Sequence, residues 1–158
     1  MDRREFRRAK TTGGLRLARY EFKESRKAKL PKHMEHIRRK RVLATDLIDV
    51  GRDVSVVFLW RTGDCLEKRA LNGYAFRQKP EGLEPLLRMD YHPSHKGLHI
   101  KFNCEQPIEF INRDVVRGRE FSLNHPPLDP DNAQDRARFV EEFCRRIAAS
   151  LGEGDLLC

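Results

Sequence analysis

Apolar and polar residues alternate through "LLRMDYHPSHKGLHIKFN" (86–103), on both sides of a short Pro/Gly turn. Alternation with period two sends successive side chains to opposite faces of a strand. The stretch therefore predicts a hairpin with one apolar and one polar face. Upstream, "DVSVVFLWR" (53–61) is β-branched and aromatic and predicts a well-buried strand. "TGD" (62–64) is a turn signal, and "CLEKRALNGYAFRQ" (65–78) returns as a second strand, with a break allowed at Asn72 and Gly73. "KPEGLEP" (79–85) predicts a loop, "PIEFI" (107–111) and "REFSL" (119–123) predict strands, and the proline-rich "NHPPLDPDN" (124–132) predicts a loop.

The pattern changes period at the C-terminal end. In "NAQDRARFVEEFCRRIAASLG" (132–152), Phe139, Val140, Phe143, Ile147, Ala148 and Leu151 recur every three or four residues. That is one apolar stripe of an amphipathic helix, with Asp131 or Asn132 as its N-cap and Gly152 as its C-cap. Near the N-terminus, "MDRREFRRAKTTGG" (1–14) ends in a breaker. "LRLARYEFKESRKAK" (15–29) alternates briefly, but its charge density and the stop before Pro31 favour a helix. A second helix is expected from Pro31, with Met34, Ile37 and Arg41 on one side and "RRKR" (38–41) in its last turn.

These elements predict an α+β fold. A single antiparallel sheet of about five or six strands is packed by the C-terminal amphipathic helix, with a basic helical segment at the N-terminus. The expected organisation is a basic arm over 1–41, partly helical or mobile, an α+β domain over 42–152 and a tail over 153–158.

Charge sharpens this division. Residues 1–41 hold 16 Lys/Arg against 5 Asp/Glu, a net of +11, while the other 117 residues carry a net of −3. A basic arm on a near-neutral body suggests a polyanionic partner, nucleic acid first and RNA in particular, or else an acidic protein. Arg3, Arg4, Arg7, Arg8, Lys10, Arg38, Arg39, Lys40 and Arg41 are the candidate phosphate-binding residues. The bland alternative is a solubilising tail. Hydrophobic residues make up 39% of the chain and charged ones 35%, and nine Phe with one Trp can anchor a core, so disorder is not expected. With no apolar run near membrane-spanning length and no charged-then-apolar leader, the protein is expected to be soluble, cytoplasmic and without a membrane partner. Cys65, Cys104, Cys144 and Cys158 show no metal or redox spacing and are expected to be reduced.

Candidate chemistry concentrates on the hairpin. Arg88, Asp90 and His92 share one face of its first strand, and His99, Lys101 and Asn103 share a face of its second. Registers that set apolar beside apolar keep these on the same side. The tightest such register is expected to set His92 opposite His99, Asp90 opposite Lys101 and Arg88 opposite Asn103, with His95 in the loop above. Such a cluster suits cofactor-free phosphodiester chemistry on RNA. One imidazole takes the proton of a ribose 2′-hydroxyl, the other protonates the leaving oxygen, and Lys101 and Arg88 stabilise phosphoryl charge while Asp90 orients a neighbour. Two other readings stay open. One is a solvated or plain binding face, as any half-exposed sheet presents. The other is a metal held by His92, His95 and His99, which would leave an open coordination position. Elsewhere, "HMEH" (33–36) puts His33 and His36 one turn apart, as a metal pair or as plain helix surface. His125 lies in the proline-rich loop.

The order of a hairpin ("VVFLWRTGDCLEKRALNGYAF"), an Arg-x-Asp strand entering a His/Pro/His turn ("RMDYHPSHKGLH") and a C-terminal helix resembles the TumE-like small RNase toxins of bacterial toxin–antitoxin systems. More distantly it is similar to RNase toxins with a barnase/EndoU/RelE-like sheet. The resemblance covers roughly residues 54–150, and Arg88, Asp90, His92, His95 and His99 match its pattern. It implies metal-independent RNA cleavage and an acidic antitoxin partner. The basic arm and the "HIKFN" strand depart from that pattern.

Overall fold

An apolar run that does not alternate has to be covered on both sides, and Val54–Arg61 is so covered. The computed structural model describes residues 14–38, 40–94, 97–102 and 120–151. Its strands are β1 (Leu15–Leu17), β2 (Lys23–Glu24), β3 (Val42–Ala44), β4 (Ile48–Gly51), β5 (Val54–Arg61), β6 (Ala70–Lys79), β7 (Gly82–His92), β8 (Gly97–Phe102), β9 (Glu120–Leu123) and β10 (Ala149–Leu151). The single α-helix among these residues, α1, is Ala133–Ile147.

Eight strands form one antiparallel sheet in the order β2-β3-β5-β6-β7-β8-β9, with β4 paired to β5 on the same side as β3. Between β3 and β4, Thr45 keeps contact with β5: its N–H donates to the Phe58 carbonyl, and its Oγ1 accepts from the Phe58 N–H, both at 3.0 Å. The strands β1 and β10 form a separate parallel pair.

The fold is thus α+β and largely antiparallel, with the C-terminal helix on one face. The sheet has eight strands where five or six were expected, because β2, β3 and β4 are only two to four residues long, too short for alternation to show in the sequence.

One core lies between the sheet and α1. Val56, Phe58, Leu71, Leu87, Met89 and Ile100 meet Phe139, Val140, Phe143 and Ile147 of the helix. Each fully buried side chain of this size contributes roughly 1.5–3 kcal/mol. The helix begins at Asn132, whose side chain accepts hydrogen bonds from the N–H groups of Gln134 and Asp135. It ends at Ala148 in the left-handed conformation (φ 57°), and Leu151 belongs to β10. The expected extension to Gly152 therefore fails, since the chain turns into a strand one residue after Ala148. The loop before α1 is clamped to the sheet. Trp60 Nε1 donates to Asp131 at 2.9 Å, Arg69 binds Asp129 and Asp131, and Tyr91 Oη accepts from the Leu128 N–H at 2.7 Å.

The second core covers part of the opposite face. Ala28 and Met34 from the N-terminal segment pack on Ala44, Val57, Leu59, Tyr74 and Phe76. This segment is not the expected pair of basic helices. Residues 15–29 contain β1 and β2, and after Pro31 comes only a short 3-10 helix, Lys32–Ile37. Hydrogen bonds to Asp46 hold the segment down. Its Oδ1 accepts from the Lys29 N–H at 2.7 Å and its Oδ2 from Lys23 Nζ at 2.9 Å. Arg38 follows the 3-10 helix as its C-cap, and Lys40 and Arg41 lie in the turn before β3, so "RRKR" is not a helical last turn.

Two further expectations change. There is no break at Asn72 and Gly73, which continue β6, and residues 82–85 belong to β7 rather than a loop. Leu86 is the extra residue of a bulge between Ala75 and Phe76, which lets Pro85 sit in a strand. The expected strand at 107–111 lies outside the described residues. No helix among the described residues is long and apolar enough to cross a membrane.

Candidate functional site

The site forms on the polar face of β6, β7 and β8, beyond the edge of the N-terminal cover. The β7–β8 pairing sets Asp90 opposite His99, Arg88 opposite Lys101 and His92 opposite Gly97. The faces are those the alternation predicts, but the register differs by two residues. Gly97, at φ +58°, closes a shorter connection than the expected one. Asp90 therefore does not face Lys101, which instead lies 3.8 Å from Glu120 of β9.

Asp90 is the centre of the cluster and only 3% exposed. Across β6 it faces Asn72, whose amide donates to Asp90 Oδ1. Arg88 Nε donates to Asp90 at 2.8 Å to Oδ1 and 2.7 Å to Oδ2. Across β8, His99 Nε2 lies 3.5 Å from Oδ2. A buried carboxylate is tolerable only with such partners. His99 is itself 4% exposed. Because His92 faces a glycine, it has no side chain directly opposite and meets His99 on the diagonal. Their rings stack with centroids 5.5 Å apart at 25°. The Arg88 guanidinium lies 5.5 Å from the centroid of the Tyr74 ring.

These groups border a cleft of about 250 Å³. Leu59, Asn72 and Tyr74 on the sheet line it, with Arg88 and His92. His36 and Ile37 of the 3-10 helix line it too, as do Val42 and Arg61. The 3-10 helix separates its two histidines. His33 packs edge-on against the Phe76 ring, at 5.4 Å between centroids. Burial, and after it the neighbouring His36, lowers its pKa from the usual imidazole value. His36 is exposed and belongs to the cleft. Arg38, Lys40 and Arg41 are exposed and lie between the cleft residues Ile37 and Val42 in the chain. Arg41 is 3.5 Å from Asp64.

Of the residues picked from the sequence, Arg88, Asp90, His92 and His99 come together, and Lys101 stands two pairs further along β8, opposite Arg88 and beside Glu120. His95, Arg3, Arg4, Arg7, Arg8, Lys10, Arg39 and Asn103 lie outside the described residues. His125 is away from this cluster's hydrogen bonds, with Nδ1 2.8 Å from the Pro126 carbonyl. Sequence reasoning missed Asn72, Tyr74 and Arg61. Asn72 and Tyr74 alternate with Leu71 and Gly73, a signal obscured by treating Asn72 and Gly73 as a turn. Arg61 ends the run of β5 and carries no signal of its own. No family model, curated protein or solved structure matches this chain.

Proposed function

We propose that the protein is a metal-independent endoribonuclease of the toxin-like kind, binding RNA along its basic N-terminal chain and cleaving it in the cleft beside His92. The observation that supports this most is the placing of two imidazoles, His92 from the sheet and His36 from the 3-10 helix, around one cleft that also holds Arg61 and Arg88.

In this reading His92 removes the proton of the ribose 2′-hydroxyl. The new O2′–P bond forms as the P–O5′ bond breaks, and His36 donates a proton to the departing 5′-oxygen. The products are a 2′,3′-cyclic phosphate and a 5′-hydroxyl end. Arg61 and Arg88 stabilise charge on the non-bridging oxygens. His99, too buried to take part directly, holds His92 by stacking, and Asp90 fixes Arg88. Arg38, Lys40 and Arg41 guide the RNA backbone by charge. The need for a 2′-hydroxyl makes DNA inert. The likeness to TumE-like toxins agrees with this reading and adds an acidic antitoxin as partner.

Total RNA incubated with the purified protein in EDTA should yield fragments ending in 2′,3′-cyclic phosphate. Salt-sensitive RNA binding without fragments would instead assign a non-catalytic nucleic-acid-binding module, for which the basic chain alone suffices.

A further inference from the structure

Asp90, His92 and His99 bring one carboxylate oxygen and two ring nitrogens within 4.8 Å of one another. The orientation of His99 gives this grouping its meaning. Its Nδ1 lies 3.3 Å from the Gly97 carbonyl oxygen, which can only accept, so the ring hydrogen belongs on Nδ1. Nε2 then turns its lone pair toward Asp90 Oδ2, 3.5 Å away. Two electron-rich atoms facing each other in a buried place are stabilised by a cation between them.

A proton can bridge those two atoms, but only those two. The third donor, His92, is stacked on His99 and opens to the cleft. Three convergent donors suit a metal ion. An imidazole whose Nδ1–H is held by a backbone carbonyl, and a carboxylate whose Oδ1 is held by Asn72 while Arg88 Nε spans both of its oxygens, are the outer contacts that orient metal ligands. Two imidazoles and one carboxylate favour zinc over magnesium or calcium, and three protein ligands leave one tetrahedral position open to the cleft. The Arg88 guanidinium opposes a second cation and limits the affinity.

We infer that Asp90, His92 and His99 form a binding site for a zinc-class divalent cation, and that its occupation takes His92 out of RNA cleavage and inhibits the enzyme. The inhibition rests on the ribonuclease reading; the metal site does not.

The test uses the full chain, stripped with EDTA and dialysed. Zinc chloride is titrated by calorimetry, and cobalt(II) by its visible absorption. One equivalent should bind, with a cobalt spectrum of four-coordinate type. The affinity should fall at least about tenfold in His92→Ala. His92 is half-buried and reaches the cleft, and an unchanged thermal melt would show that the variant folds. A second variant, His99→Gln, should lose the cobalt band as well. Absence of stoichiometric binding, or equal binding by His92→Ala, overturns the site. If RNA is cleaved in EDTA and zinc has no effect on the rate although it binds, the inhibition is overturned. Cleavage that requires zinc overturns the metal-independent reading and the inhibition while supporting the site.

Discussion

Asp90 decides most of what the candidate site can do, because three strands converge on it. Asn72 and His99 face it from β6 and β8, and Arg88 reaches it along β7. Replacing Asp90 with Ala removes the buried carboxylate that pairs with the Arg88 guanidinium and accepts from Asn72. Removing one partner of a buried pair costs about 3–5 kcal/mol. We expect Asp90→Ala to lower the urea-unfolding free energy by an amount of that order. A change below about 0.5 kcal/mol, the range of ordinary surface substitutions, would show that the carboxylate is not a structural pivot. Which residues share the polar face was legible from alternation alone, because period two admits no other division of Arg88, Asp90 and His92 from Leu87, Met89 and Tyr91. Which residue faces which was not. Several registers satisfy the same parity, and the choice among them lies with the turn, where Gly97 takes a positive φ that permits the shorter connection.

At the scale of elements, the helix and the central strands were the most legible. The stripe of α1 is long and periodic, and Phe139, Val140, Phe143 and Ile147 are buried as it predicts, with Glu142 and Cys144 buried beside them. Its close approach to the sheet depends on Gly73. A Cβ there would come 2.6 Å from a ring carbon of Phe143. Gly73→Ala should therefore destabilise the protein by about 1–3 kcal/mol, read as a drop in Tm; an unchanged or higher Tm would mean that α1 sits less tightly than described. The N-terminal segment was illegible for a different reason. Residues 15–29 are highly charged, and β1 and β2 exist only because β10 and β3 are there to pair with them. Tertiary contact overrides local propensity in such short strands.

Asp46 adds a pH dependence to that attachment. The Lys29 N–H, and then Lys23, hold its pKa below the usual carboxylate value. A depressed carboxylate stabilises the fold at pH values above its unfolded pKa, and that stability is lost as pH falls below it. Exchange protection of the Lys29 amide should thus fall on acidification below about pH 4, and should already be low at neutral pH in Asp46→Ala. Protection independent of pH and of this substitution would contradict the role.

Across the whole molecule, one sheet serves two cores, and the site lies where the second core ends. The charge excess over residues 1–41 was plain in the sequence. Its meaning was not, since the stretch from Leu15 onward is built into the fold and places His36 in the cleft. The described part of the basic stretch is thus packed on the sheet and borders the candidate site.

The central claim is that His92 and His36 act on RNA together from around that cleft. It is tested most directly by the single-turnover rate of RNA cleavage in EDTA for the wild type, His92→Ala and His36→Ala. Each variant should fall by about 10²–10⁴-fold while RNA binding and the thermal melt are retained. Wild-type cleavage that survives both substitutions, or no wild-type cleavage at all, would contradict the account.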